Sequence, residues 1–183
     1  VASQYDIYAS VLLAQMALES SYGASGLSSK HNNYFGIKGS YNGKTVNMNT
    51  KEDDGSGLTY STKSNFRAYD SAKDSMIDYA ELMNKGIYVK SLKSVSRSYQ
   101  EVTDSLEGLY ATDTLYSEKL NGIIERYNLT RFDSDFIVSG PRIQSNVIQD
   151  EIDSFGLQVV SKSFDKSYYN SAQVFYSGSD LTF

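Results

Sequence analysis

Apolar residues recur at helical spacing in the first part of the chain. Ile7, Val11, Ala14 and Leu18 fall on one face, which predicts a core-facing stripe. A neighbouring stripe carries Tyr8, Leu12, Gln15, Glu19 and Tyr22 at three- and four-residue steps. From Ile7 to Tyr22 the one charged residue is Glu19, so this helix is expected to be apolar on most of its circumference and buried. A loop follows, and then a segment of different character from Gly36 to Tyr69. There the turn formers Gly39-Ser40, Asn42-Gly43 and Asp53-Asp54-Gly55-Ser56-Gly57 separate short runs such as Thr45-Val46-Asn47-Met48 and Leu58-Thr59-Tyr60, predicting a small antiparallel hairpin or irregular β lobe.

Helical spacing then returns. Ser71 and Asp74 form a capping pair before a helix with Met76, Ala80 and Met83 on its inner face. Val95, Tyr99, Val102 and Leu106 predict another, ending at Gly108. Tyr116, Leu120, Ile123 and Tyr127 predict the last strong one, with Asp113 or Thr114 as its N-cap. The expected fold class is α+β, mainly α, with two lobes and a groove between them suited to an extended polymer. Beyond Asp133 the pattern weakens. After Gly140-Pro141, a helix is expected from Ile143, Val147, Ile152 and Phe155, and strands at 157–160 and 172–176. Residues 1–133 are therefore expected to form the main domain. Residues 134–183, too short for a secure core of their own, are expected to be an appendage docked on it or an incomplete second domain.

Composition narrows the function. The formal net charge is -5 and no basic stripe occurs, so nucleic acid is not an expected partner. No apolar run is long enough to span a bilayer, and no secretory signal is present. The chain opens at Val1 without Met and is expected to be a processed or excised piece of a longer multidomain protein. There is no Cys and only one His, His31, which is expected to be a loop residue with no catalytic task. Thiolate sites, imidazole metal clusters and Ser-His-Asp triads are therefore not expected, nor is any cofactor or metal. The 16 Tyr and 8 Phe, with no Trp, offer flat apolar faces with polar tips. These suit sugar rings, and equally suit ordinary half-buried packing.

Glu19 is the leading candidate for chemistry. An ionised carboxylate is costly to bury, so desolvation is expected to raise its pKa toward working pH, which suits a general acid. The alternative is an exposed Glu at a rim. A glycosidase normally pairs its acid with a second carboxylate, and the β lobe offers Glu52, Asp53 and Asp54. Turns commonly carry such residues. Glu52 is preferred because it precedes the turn proper. Tyr110 stands at the junction before the last strong helix, where its hydroxyl either orients water or an acetamido group, or simply packs over the helix start.

Five segments in order carry a resemblance: Ala17-Leu18-Glu19-Ser20, Asn32-Asn33-Tyr34-Phe35-Gly36-Ile37-Lys38-Gly39, Thr50-Lys51-Glu52, Phe66-Arg67-Ala68-Tyr69 and Tyr110-Ala111-Thr112-Asp113. From about Tyr5 to Asp133 the chain resembles the bacterial endo-β-N-acetylglucosaminidases of glycoside hydrolase family 73, which include autolysins, flagellar wall hydrolases and phage lysins. The resemblance implies a lysozyme-like fold and hydrolysis of the β-1,4 bond between N-acetylglucosamine and N-acetylmuramic acid. It implies peptidoglycan glycan strands as partner, a monomer, and a place of action at the bacterial wall, outside the cell or on the wall of a phage host. It places the general acid at Glu19, the second acidic residue at Glu52 and the motif tyrosine at Tyr110. By the same likeness Tyr22, Asn33, Tyr34, Phe35, Ala111 and Thr112 contact substrate. Two positions depart from the family pattern: Thr114 stands where Pro is common, and Tyr22 where Trp is usual.

Overall fold

A computed structural model describes residues 1–53 and 59–134 of the chain. Its centre is helix α1 (Ala9–Glu19), in which every residue from Ala9 to Ala17 is buried. The two expected stripes merge because Ser10, Gln15 and Glu19 are the helix's only polar side chains, and a helix apolar all round has no face to give to water. Leu18, expected in the core stripe, is half-buried. Ile7 is buried but precedes the helix, bridging to Leu92.

The helix stops earlier than its pattern predicts. Ser20 Oγ donates to the Met16 carbonyl at 2.6 Å and accepts the Gly23 N–H at 2.7 Å. Ser21, Tyr22 and Gly23 then run through the left-handed region at φ 52°, 56° and 75°. Two of these are not glycine and cost about 1–2 kcal/mol each. Bonds from Tyr22 N–H to Ala17 O (2.7 Å) and Ser25 N–H to Ser20 O (3.0 Å) hold the turn against that cost. The expected loop contains a short helix, α2 (Gly26–His31), whose N-cap Ser25 accepts the Ser28 N–H at 3.1 Å. His31 therefore ends a helix rather than lying in a loop, and its carbonyl accepts the Tyr69 N–H at 3.0 Å.

Strands β1 (Thr45–Asp53) and β2 (Thr59–Arg67) form the expected antiparallel hairpin, from Thr45 opposite Arg67 to Glu52 opposite Tyr60 and Asp53 opposite Thr59. Val46 and Met48 alternate with exposed neighbours, so one face of the pleat turns inward. The Met48 methyl lies 3.6 Å from where a Cβ on Gly26 would stand, which seats the hairpin on α2.

Helix α3 (Ala72–Met83) opens on Ser71, which accepts the Asp74 N–H, and Met76, Ala80 and Met83 are buried as expected. A 3-10 segment (Gly86–Ser91) leads to α4 (Tyr99–Leu106), whose N-cap is Ser98. Val102 and Leu106 are buried, but Val95 precedes the helix and is 51% exposed, outside the apolar face expected of it. Helix α5 (Tyr116–Arg126) buries Tyr116, Leu120, Ile123 and Ile124 and packs against α1 and α4. Tyr127 follows it, half-buried.

A 3-10 turn (Leu129–Phe132) brings Asp133 to the start of α1. Tyr8 holds the N-cap position but its side chain makes no capping bond, so the cap comes from far along the chain: Asp133 Oδ1 accepts the Ser10 N–H at 2.8 Å. Lys93 Nζ donates to the Asp133 carbonyl at 2.7 Å, and burial pushes the Asp133 carboxyl above its ordinary value. No helix among the described residues is long and apolar enough to cross a membrane. The helix and strands expected after Gly140-Pro141 lie outside the described residues. Asp133→Ala should lower stability by about 0.5–2 kcal/mol, read from urea unfolding. An unchanged midpoint would mean that α1 does not rely on this cap.

Candidate active site

Glu19 is the last residue of α1 and is half-buried. Tyr116, at the first position of α5, donates its phenolic hydrogen to Glu19 Oε1 at 2.7 Å. One turn before Glu19 on the same helix lies Gln15, with no exposed surface. Its Nε2 donates to the Tyr116 hydroxyl at 2.9 Å, and its Oε1 accepts the hydroxyl of Tyr79 from α3. Burial first, and the Glu19 charge second, push both phenols well above their ordinary pKa, so both are neutral donors at neutral pH. Sequence reading placed Gln15 beside Glu19 on one stripe but missed Tyr79 and Tyr116 as site residues. Its one available signal was an uncharged polar side chain inside an apolar helix.

Other aromatic rings pack around this chain. Phe35 stacks on Tyr79 with centroids 4.2 Å apart and planes 16° from parallel. Tyr110 lies 6.0 Å from Tyr116 at 25° and meets Tyr79 edge-on at 6.3 Å. Tyr88 approaches Tyr110 at 6.3 Å. The Tyr110 hydroxyl donates to the Phe35 carbonyl at 3.3 Å. Tyr110 thus packs over the start of α5 and at the same time stands beside the residue that holds Glu19.

Asn33, Tyr34 and Phe35, expected on a groove wall, are instead buried at 1%, 5% and 1% exposure. Asn33 Nδ2 donates to the carbonyls of Ile37 (3.0 Å) and Arg67 (2.8 Å), and its Oδ1 accepts the Ile37 N–H at 3.1 Å. The Tyr34 N–H donates to Ser75 Oγ at 3.2 Å. These residues tie the loop to the end of β2 and to α3. A clamp beside them was not foreseen: Arg67 Nη1 donates to both carboxylate oxygens of buried Asp78 at 2.5 and 2.7 Å, and the Tyr69 hydroxyl donates to Asp78 Oδ2 at 2.5 Å. The sequence signal was an Asp set among Met76, Ile77, Tyr79 and Ala80, the same kind of signal that marked Glu19.

The loop before α5 turns at Gly108 (φ 76°), and Ala111 bridges back to Glu107. Ala111 is half-buried and Thr112 exposed. The N-cap position of α5 is Leu115, not Asp113 or Thr114. Its first N–H, of Tyr116, goes to the Asp113 carbonyl at 3.1 Å and its second, of Ser117, to Glu107 Oε2 at 3.1 Å, while Asp113 Oδ1 accepts from Leu115 N at 3.0 Å. An apolar residue sits at the cap because the preceding Glu107 side chain and Asp113 carbonyl take the helix's first N–H groups. Tyr22 packs its ring 6.5 Å from Tyr127. Glu52 belongs to β1, as does Asp53, which the sequence had assigned to the turn, whereas Asp54 lies outside the described residues. Among the described residues no three His, Cys, Asp or Glu side chains gather as metal ligands.

Several known proteins are similar to this chain. The family model described as glucosaminidase, mannosyl-glycoprotein endo-beta-N-acetylglucosaminidase, matches residues 1–129. An N-acetylmuramoyl-L-alanine amidase domain-containing protein of Staphylococcus aureus is 47% identical over 137 residues, 71% of this chain and 22% of that protein. A probable N-acetylmuramidase of Lactococcus lactis is 41% identical over 141 residues, 73% of this chain and 32% of its own length. The chain thus spans about a fifth to a third of these relatives. The crystal structure of the catalytic domain of the autolysin Auto from Listeria monocytogenes superposes with a TM-score of 0.68 at 41% identity, covering 72% of this chain and 78% of that one.

Two outcomes test the geometry. Asn33→Ala should cost about 1–3 kcal/mol, because the half-buried Ile37 N–H loses its acceptor and the Arg67 carbonyl loses the amide donor; a variant of wild-type stability with weakened sugar binding would restore Asn33 to the groove wall. At Asp113 burial opposes the charge, yet the bonds from Lys119 and the Leu115 N–H, with the Lys119 charge, hold the carboxyl below its ordinary value. A depressed acid contributes stability above its unfolded pKa, about 3.9, and loses it as pH falls through the lower folded value. Unfolding curves of wild type and Asp113→Ala should therefore differ near neutral pH and converge in strong acid.

Proposed function

Because the chain belongs to the glucosaminidase family, we propose that it hydrolyses the β-1,4 bond between N-acetylglucosamine and N-acetylmuramic acid in peptidoglycan, with Glu19 as proton donor. The observation that carries this reading is a half-buried carboxyl at the end of α1, one oxygen of which is held by the neutral phenol of Tyr116 at 2.7 Å. Such a carboxyl can give a proton to the glycosidic oxygen as an oxocarbenium-like sugar forms.

The second half of the reaction has two routes. Either Glu52, near the tip of the hairpin, activates water, or the substrate's own acetamido group assists and Tyr110 positions it. Tyr22, Ala111 and Thr112 are assigned to contacts with the glycan in a groove between hairpin and helices. Asn33, Tyr34 and Phe35 support that groove from behind. A net charge of -5 gives no long-range attraction to an anionic wall, so targeting is assigned to other parts of a longer protein acting at the bacterial wall.

A second reading is supported by the relative named a probable N-acetylmuramidase: the same Glu19 chemistry on the alternate bond. Mass spectrometry of digested walls separates the two. Reducing-end N-acetylglucosamine is expected. Reducing or anhydro muramic acid would assign a muramidase or lytic transglycosylase, and binding to walls without sugar release would assign a non-catalytic module. Glu19→Gln should lower the rate by about 10²–10⁴-fold with the fold intact by circular dichroism. Wall clearance near the wild-type rate would end the assignment.

A further inference from the structure

We propose that Gln15 and Tyr116 are positioning residues that direct the transferable proton of Glu19 to its Oε2 atom. The proposal rests on the reading of Glu19 as proton donor and adds what decides which oxygen acts. Tyr79 has a single hydroxyl hydrogen, and it goes to Gln15 Oε1. The Gln15 amide is thereby oriented, with its nitrogen toward Tyr116. An amide nitrogen only donates, so the Tyr116 oxygen accepts from it and the Tyr116 hydrogen goes onward to Glu19 Oε1. Donors therefore run one way, Tyr79 to Gln15 to Tyr116 to Glu19. A proton placed on Oε1 would leave Tyr116 donating to a hydroxyl oxygen, a weaker acceptor than the carbonyl oxygen of a neutral carboxyl. On Oε2 it leaves the chain as it stands.

The same bond serves both states of the acid. Before transfer Oε1 is the carbonyl oxygen of a neutral carboxyl, and after transfer it is half of a carboxylate; it accepts from Tyr116 in each. The surroundings keep the chain from titrating. Facing it are Tyr79 from α3, Tyr116 from α5, Tyr110 from the loop before α5 and Tyr88 from the 3-10 segment. Burial raises Tyr79, Tyr88 and Tyr116 above their ordinary pKa. In so dry a setting each hydrogen bond polarises the next, so removing the Gln15 amide weakens the donor that reaches Glu19.

The test uses the full chain with Tyr116→Phe, Gln15→Met and the double variant, each assayed on purified glycan fragments across pH. Tyr116→Phe should lower kcat by about 10- to 100-fold with KM nearly unchanged. It should also move the alkaline limb of kcat/KM to higher pH, because a bond favouring the carboxylate is gone. Gln15→Met should act in the same direction to a smaller degree, and the double variant should be no worse than Tyr116→Phe alone. An independent readout is the pH titration of the ¹³C-labelled Glu19 carboxyl, whose midpoint should rise in both single variants. Wild-type rates, limbs and midpoints with only a lowered melting temperature would overturn the proposal and reduce the two residues to packing. The two failures are distinguishable. If Glu19→Gln stays active, the catalytic reading falls and the proposal falls with it; if Glu19→Gln is dead while neither the rate nor the Glu19 midpoint moves in Tyr116→Phe, the proposal alone falls.

Discussion

A carboxamide shut away from solvent must find its hydrogen-bond partners within the protein, and Gln15 finds them in the phenols of Tyr79 and Tyr116. That requirement fixes how three helices meet. Helix α1 supplies the amide, α3 the donor to its oxygen, and α5 the acceptor for its nitrogen. Glu19 lies one turn beyond the amide and receives the end of the chain. Packing and chemistry are thus joined at one contact: the side chain that holds the helices together also orients the group proposed to react.

The rest of the fold keeps that contact in place. Asp133 closes the opposite end of α1 from 123 residues away, so the helix is tied at both termini by distant parts of the chain. The Arg67–Asp78–Tyr69 clamp fastens the base of the hairpin to α3, and Asn33 bonds the aromatic loop to the same strand end. A buried ion pair adds little stability by itself, but one satisfied by further hydrogen bonds defines a single arrangement of hairpin and helices.

Local patterns made much of this legible from the sequence. The absence of other charges singled out Glu19, the Ser71–Asp74 pair announced α3, and turn residues marked the hairpin. What escaped depends on contacts across the chain. Tyr79 and Tyr116 meet Gln15 from 64 and 101 residues away, and nothing in their own neighbourhoods distinguishes them from core tyrosines. Asn33, Tyr34 and Phe35 were misjudged for a related reason. An aromatic, amide-rich run has the same composition whether it faces a sugar or fills an interior. Val95 continued a helical period, but Ser98 begins the helix after it, since a cap overrides periodicity where the two compete. At α5 the reverse occurred: a leucine holds the cap position because the Asp113 carbonyl and the Glu107 carboxylate already take the first free N–H groups.

Proton donation by Glu19 requires a bridging oxygen within reach of residue 19 when glycan is bound. A crystal structure of the Glu19→Gln protein with a glycan fragment bound would measure that distance directly. The bridging oxygen should lie within about 2.6–3.2 Å of the terminal atom of residue 19 that Tyr116 does not bond, with Tyr116 still bonded to the other. A glycan bound across another surface, with residue 19 out of hydrogen-bond reach of any bridging oxygen, would contradict proton donation by Glu19.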